Sequence, residues 1–238
     1  MGARTILITG GTSGIGAGIA SAFAAQGDRV TVTGATGPEV ELAREQLAVN
    51  AAHVLDVRDG VAVCNLLEAL GELDVVVNCA GIIRRGAELD PDVFAQTIDV
   101  NLKGTMRVCA AARKGLKARS GCIINTASIM GLSGGGLYPN ISYQSSKGAV
   151  VNLTRSLAVE WAREGIRVNA IAPTWVRTDF IESLTAQPGL MARIEAMTPM
   201  GRIAEVDEIV GGVIYLASPA AGMVTGHTLA IDGGFLAQ

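Results

Sequence analysis

A short β-rich run over residues 4–9 breaks directly into Gly10-Gly11-Thr12-Ser13-Gly14-Ile15-Gly16, and a helical pattern takes over behind it. Ile15, Ile19, Ala22, Phe23 and Ala24 form the apolar side of that helix, Gly27 is suited to close it, and residues 28–33 read as a second strand. Strand, glycine-rich turn and helix make one half of a βαβ unit. In such a unit the glycines let the main chain turn tightly and approach a ligand. The helix start, with its free N–H groups, favours an anion such as a diphosphate. A glycine-rich turn alone says little. Its place between a strand and a helix is what gives it weight.

The same alternation continues. A polar helix follows Pro38 to about Val49, and a strand ends in Val54-Leu55-Asp56-Val57. A helix through Leu66, Leu67 and Leu70 leads to a strand at residues 73–77 and then Asn78-Cys79-Ala80-Gly81. Asp90-Pro91 has the form of an N-cap with proline at the first helical position, opening a long helix that contains Asn101. Strands are predicted at residues 122–126, 167–172 and 228–232, and a helix at 205–217. Strands alternating with helices imply an α/β chain, a doubly wound, seven-stranded and mostly parallel sheet with helices on both faces. At 238 residues, 49% hydrophobic, 4% aromatic and with 30 glycines, the chain suits one domain of aliphatic strands under Ala-rich helices. Residues 179–201 carry methionines and are interrupted by Pro188 and Pro199, a composition expected of a mobile lid.

Composition removes several classes of function. A formal net charge of −3 argues against nucleic acid as main partner. His53 and His227 stand far apart, so no catalytic metal site is expected. Cys64, Cys79, Cys109 and Cys122 form no C-x-x-C pair, as expected of reduced thiols. No apolar run spans a membrane and no charged-then-apolar leader precedes the first strand. Met1-Gly2 begins like a myristoylation site, but Ile6 stands where Ser or Thr is needed. A soluble, cytoplasmic protein is the expectation.

One helix carries the candidate chemistry. Val150, Val151, Leu153, Leu157, Ala158 and Trp161 recur at helical spacing, and the stripe extended backwards meets Lys147 and Tyr143. A buried lysine needs a partner. An ammonium beside a phenol favours the phenolate, so Tyr143 is expected to have a lowered pKa and to pass a proton to or from a substrate oxygen. The plain alternative is a tyrosine that packs and a lysine that reaches water. Ser128, at the carboxyl end of the 122–126 strand, is placed to steady a developing oxyanion. It precedes Tyr143 by fifteen residues across a connection containing Gly131, Gly134, Gly135 and Gly136. Tyr138 does not compete, because Ser142 rather than a lysine stands four residues on.

Thr9-Gly10-x-x-x-Gly14-x-Gly16 together with Ser128, Tyr143 and Lys147 resembles the signature of the short-chain dehydrogenase/reductase family, and the likeness covers essentially the whole chain. The resemblance implies a Rossmann-type fold with strand order 3-2-1-4-5-6-7. It also implies reversible hydride transfer between a nicotinamide cofactor and a secondary alcohol or ketone. Tyr143 would be the acid/base, and Lys147 would tune it and grip the nicotinamide ribose. Ser128 would polarise the carbonyl, and Asn101 would bulge its helix and anchor a proton relay. For the cofactor the resemblance implies Gly10, Ser13, Gly14, Ile15 and Gly16 at the phosphates, Asp56 and Val57 at the adenine, and Asn78, Ala80 and Gly81 along the next strand end. Pro173, Val176 and Thr178 match positions that meet the nicotinamide carboxamide and phosphates. Cys79 and Thr174 stand where relatives usually carry Asn and Gly, and the serine-to-tyrosine interval is slightly long. Similar proteins pair the catalytic helix across a twofold axis, and Ser145, Ser146, Gly148, Ala149 and Asn152 would allow close approach, so a homotetramer is expected. A non-catalytic dinucleotide sensor is the competing class, and such a protein would be free to lose the tyrosine or lysine retained here.

Cofactor and substrate are less sharply marked. The second strand ends at Gly34-Ala35-Thr36, with neither an acid to bind the ribose hydroxyls of NAD nor an arginine for the 2′-phosphate of NADP, and Ser13 replaces a basic residue in the turn. A ribose hydroxyl is satisfied by Thr36 or a backbone group, whereas a phosphate gains most from cations. NAD with weak discrimination is therefore expected, a backbone nest keeping NADP open. Ile82-Ile83-Arg84-Arg85 resembles the same place in sugar-acid dehydrogenases of gluconate and deoxygluconate, with Arg84 or Arg85 taking a carboxylate. A 3-oxoacyl-carrier-protein reductase is the runner-up. Val100 to Val159 contains no acid while Lys103, Arg107, Arg113, Lys114, Lys117 and Arg119 accumulate, either as helix-end complements or as a landing site for an acidic carrier.

Overall fold

A computed structural model describes residues 2–87, 89–134 and 137–238. Gly135 and Gly136 of the glycine-rich connection lie outside the described residues. The strands are β1 (Thr5–Thr9), β2 (Arg29–Gly34), β3 (Ala51–Val54), β4 (Val75–Asn78), β5 (Cys122–Thr126), β6 (Arg167–Pro173) and β7 (Thr228–Ile231). They form one sheet in the order β3-β2-β1-β4-β5-β6-β7, and every pairing is parallel. The expected strand order holds, and the sheet is wholly parallel.

Strand alternation divides the core. Ile6, Ile8, Val30 and Val32 point to one face, where they pack against Ile19 and Phe23 of α1 (Gly14–Ala25), Val40 of α2 (Gly37–Gln46) and Ile209 and Val213 far along the chain. Leu7, Val76, Ile123 and Val168 point to the other. There they meet Leu67 of α3 (Gly60–Leu70) and residues of two later helices, α5 (Thr105–Arg119) and α6 (Ile141–Trp161), chiefly Val108, Leu116, Leu157 and Trp161, while α4 (Pro91–Ile98) packs on α6. Both faces being covered explains why the strands read as continuous apolar runs. The predicted strand ending at Val57 stops at Val54, leaving Asp56 and Val57 in the turn beyond it. Asp59, not Asp56, caps α3 by accepting from the Val61 and Ala62 N–H groups.

The long helix over residues 91–119 is not uniform. Asp90 caps its start through the Asp92 and Val93 N–H groups, and residues Asp99–Gly104 form a π-helical segment between α4 and α5. Such wide turns recur at functional sites, and Asn101 sits in this one. The segment expected as a lid is helical, with α7 (Glu182–Thr185) and α8 (Pro188–Met197), and Pro188 opens α8 instead of breaking it. Ile181, Leu184 and Ile194 are buried against Ile129, Trp175 and Phe235. The last helix, α9 (Val206–Leu216), starts in a reciprocal capping box of Glu205 and Glu208.

The cations between Val100 and Val159 are largely answered from elsewhere. Arg107 and Lys103 pair with Asp99, Arg113 with Glu164, and Arg119 with Asp74 and Glu72. Lys114 and Lys117 make no ion pair among the described residues.

Gly131 sets the distance between the turn after β5 and α6. A Cβ there would lie 2.5 Å from the Lys147 carbonyl carbon and 2.7 Å from the Gly148 nitrogen, main-chain atoms with no room to give. Gly131→Ala is expected to cost about 1–3 kcal/mol by overpacking, seen as a fall of several degrees in Tm. Gly211→Ala, in open space on α9, should be neutral or stabilising.

Candidate active site

A cavity of about 530 Å³ opens along the carboxyl ends of the strands, at the point where strand order reverses between β1 and β4. Open α/β sheets bind ligands at this place. At one end lies the glycine-rich turn. Gly10 takes φ +62°, and a Cβ on it would sit 2.6 Å from the Ala80 nitrogen; one on Gly16 would sit 2.1 Å from the Gly10 carbonyl oxygen. Glycine is required at both by backbone packing. Ser13, the N-cap of α1, makes no side-chain cap bond, and no acid stands in the first turn. The donors of the helix start therefore remain for an anion.

At the other end, α6 presents Tyr143 and Lys147. Lys147 is buried at 4% exposure, and its Nζ donates to the Thr126 carbonyl at 2.6 Å. Nζ is 5.5 Å from the Tyr143 ring centroid. Ser128 begins a single 3₁₀ turn, its hydroxyl accepting from the Met130 N–H at 3.1 Å. It also bonds to the Tyr143 phenol. Serine, tyrosine and lysine thus converge on one wall.

The electrostatics differ from the expectation drawn from Tyr143 and Lys147 alone. Burial pushes the Tyr143 phenol up to about 12, with the Ser128 bond and the Arg85 charge acting in the lowering direction. Burial also brings Lys147 down to about 8. The lowered phenol expected from the lysine is not found. The reason is geometric: the ammonium is aimed at Thr126, and desolvation penalises both charged forms.

Asn101 does not line the cavity but stands directly behind it. Its side-chain amide donates to the Ile82 carbonyl and the Ser146 hydroxyl, both at 3.0 Å, and its oxygen accepts from the Ile82 N–H at 2.8 Å. A Cβ on Gly81 would lie 3.4 Å from that oxygen and 3.6 Å from Lys147 Nζ, so Asn101 and the lysine flank the same glycine. Asn78 is likewise withdrawn, donating to Asn125 at 2.9 Å in a buried network. Thr36 stands at the N-cap position of α2, makes no side-chain cap bond and is not among the residues lining the cavity. The other residues singled out at the turn, at Gly34 and Ala35, at Asp56 and Val57, at Ala80 and Gly81, and at Pro173, Val176 and Thr178 all reach the cavity. Ser146 and Gly148, expected on an outer face of α6, turn inward to Asn101 and Gly131.

Both Arg84 and Arg85 line the cavity, and they differ. Arg84 is exposed. Arg85 lies 5.9 Å from the Tyr138 ring and 6.0 Å from the Phe180 ring, with Nη1 donating to the Phe180 carbonyl at 3.3 Å. Its Nε is buried without a hydrogen-bond partner among the described residues. Residues not anticipated from sequence complete the lining. Tyr138 accepts from Trp175 Nε1 at 3.0 Å, Arg58 grips Asp56 at 2.5–3.0 Å, and Glu39 approaches from α2. The Arg58 bond holds the Asp56 carboxyl below its usual range. Among the described residues no cluster of His, Cys, Asp or Glu is fit to hold a metal, and no helix is long and apolar enough to cross a membrane.

A parallel sheet in this order, a phosphate-cradling turn and a serine, tyrosine and lysine on one cavity wall define a dinucleotide-dependent oxidoreductase. The chain belongs to the short-chain dehydrogenase/reductase family: a family model described as enoyl-(acyl carrier protein) reductase matches residues 10–236. Galactitol 2-dehydrogenase (L-tagatose-forming) from Cereibacter sphaeroides is 40% identical over 236 residues, covering 96% of this chain and 93% of that one. A 3-oxoacyl-[acyl-carrier-protein] reductase from Chlamydia trachomatis is 35% identical over 97% of this chain and 96% of its own. Among solved structures, a gluconate 5-dehydrogenase from Burkholderia cenocepacia, in complex with NADP and tartrate, superposes with a TM-score of 0.92 at 32% identity. It covers 100% of this chain and 97% of that one.

The buried ammonium gives a testable pH dependence. Lys147 binds its proton less tightly folded, at about 8, than its ordinary value of 10.5. The folding penalty is therefore full below pH 8 and relieved as pH rises to 10.5. Any stability advantage of Lys147→Met over the parent, measured by denaturant unfolding without cofactor, is expected to shrink across that window by up to about 3 kcal/mol.

Proposed function

We propose that this chain is a nicotinamide-dependent dehydrogenase of polyols, sugars or sugar acids, using NAD(H) in preference to NADP(H). The cavity fits such a cofactor: uncapped donors at α1 suit the diphosphate, and the glycines at positions 10 and 16 keep side chains out of the cradle. A bound nicotinamide supplies or accepts the hydride. Tyr143 holds the proton exchanged with the substrate oxygen, and Ser128, bonded to it, donates to the same oxygen. Lys147, fixed on the Thr126 carbonyl, supplies positive charge beside the phenol and donors for a ribose. Asn101 acts from behind, fixing Ile82 and Ser146 around the lysine and so serving the proton path.

Arg85 carries the substrate reading. A cation between two rings at the cavity wall, with one N–H left unanswered, is a receptor for a carboxylate. The tartrate and gluconate of the Burkholderia relative carry one, whereas the galactitol of the Cereibacter relative is a neutral polyol. The carrier-protein reductase reading draws on the family description and on the exposed Lys114 and Lys117, but the neighbouring arginines are spent on ion pairs. The segment at residues 179–201, tied to Arg85 through Phe180, serves as the lid over the substrate end. Free thiols at all four cysteines fit a cytoplasmic setting.

The test is a panel of polyols, sugar acids and 3-oxoacyl thioesters with each cofactor. Tyr143→Phe is expected to lower turnover at least about a hundredfold while cofactor still binds. Arg85→Ala should raise KM for the best sugar acid by about tenfold or more and hardly change that for a neutral polyol. Equal effects on both substrates would remove the carboxylate assignment. We also propose a homotetramer, supported by the stripe of Ser145, Asn152 and Val159 left exposed on α6. Light scattering at micromolar concentration should return four times the chain mass, and a monomer mass would contradict it.

A further inference from the structure

We infer that Glu39 is the residue that discriminates between the two nicotinamide dinucleotides, acting against the 2′-phosphate of NADP. The inference rests on the preference for NAD(H) proposed above and names its cause. Glu39 belongs to the first turn of α2, and its Oε2 accepts from the Ala35 N–H at 3.0 Å. The bond folds the carboxylate back over the end of β2. A Cβ on Gly34 would lie 3.1 Å from that oxygen and 2.8 Å from Thr12 Cγ2, so Glu39, the strand end and the glycine-rich turn meet at one spot. All of them line the cavity.

In this fold the adenosine side of a dinucleotide lies over the end of the second strand, where an acid receives the ribose hydroxyls. The strand end itself offers only Gly34 and Ala35. Glu39 delivers the acid from the next helix. Among the described residues it makes no ion pair. The cation nearest in the lining sequence, Arg58, is held by Asp56 through three contacts of 2.5–3.0 Å. Asp56 and Arg58 cancel, and Glu39 leaves one negative charge over. A ribose diol is neutral and donates to a carboxylate. A 2′-phosphate brings close to two negative charges and, once ionised, no proton to donate. The same carboxylate therefore welcomes one cofactor and repels the other. Solution of the Burkholderia relative with NADP makes this a property in which the present chain would differ from a relative of its own fold.

Equilibrium binding decides the matter without turnover. The purified protein is titrated with NADH and with NADPH by calorimetry, and by the fluorescence of Trp175, which lines the cavity. The parent should bind NADH at least about tenfold more tightly. Glu39→Gln keeps the shape and an acceptor for Ala35 while removing the charge, and should bring the two dissociation constants to within about threefold, chiefly by tightening NADPH. In the parent, raising ionic strength from about 0.01 M to about 1 M should narrow the ratio, because an exposed charge is then screened within about 3 Å. A parent that binds NADPH as tightly as NADH would overturn the NAD reading and this inference together. A parent that prefers NADH, with the preference unchanged in Glu39→Gln or indifferent to salt, would overturn the assignment to Glu39 alone.

Discussion

The bond from Lys147 Nζ to the Thr126 carbonyl joins the end of β5 to the first turns of α6. Much of the site depends on it. β5 delivers Ser128 two residues later, and α6 carries Tyr143 one turn earlier, so the bond fixes the two halves of the proposed catalytic wall in register. Gly131 lets the intervening turn rest on the helix backbone at that level. A buried ammonium is tolerated only because a carbonyl receives it, and the cost left over appears as the lysine's lowered proton affinity.

The same wall holds a phenol buried among apolar groups, the group proposed to carry the proton. In the protein alone Tyr143 is strongly biased to its protonated form, with Ser128 and Arg85 opposing that bias. In the proposed reaction a group so placed would retain its proton until a substrate oxygen is there to exchange it. Asn101 contributes one layer back. The π-helical segment widens the helix at Asp99–Gly104 and turns the Asn101 amide toward Ile82 and Ser146, tying three separate stretches of chain around the lysine.

Along the cavity, charge is distributed by purpose. The end formed by the glycine-rich turn has bare N–H donors and no acid in the first turn of α1. Beyond β2 and β3 the lining holds Asp56, Arg58 and Glu39, and opposite them it holds Arg85 between aromatic rings. The two arginines have opposite fates. Arg58 is committed to a carboxylate two residues away, whereas Arg85 keeps an unanswered N–H.

From the sequence alone came the alternation of strands and helices, the glycine-rich turn, the caps at Asp90 and Gly27, and Tyr143 over Lys147. Each is a local property. A period of two or three to four residues, or a backbone that only glycine adopts, is written in neighbouring positions. Asn101 was singled out by the family resemblance, and asparagine is a mediocre helix former in any case. What tertiary structure decided were the contacts across elements. Asn78 and Asn101 were placed behind the lining, because neighbouring strands and helices supplied partners for their amides. Thr36 was passed over, and Glu39, three residues on in the chain, was folded back onto Ala35 by the first turn of α2. The phenol rose and did not fall, because burial depends on every element packed around it. Sequence spacing tells which side chains share a face; only the packed chain sets what that face meets and how much water is left there.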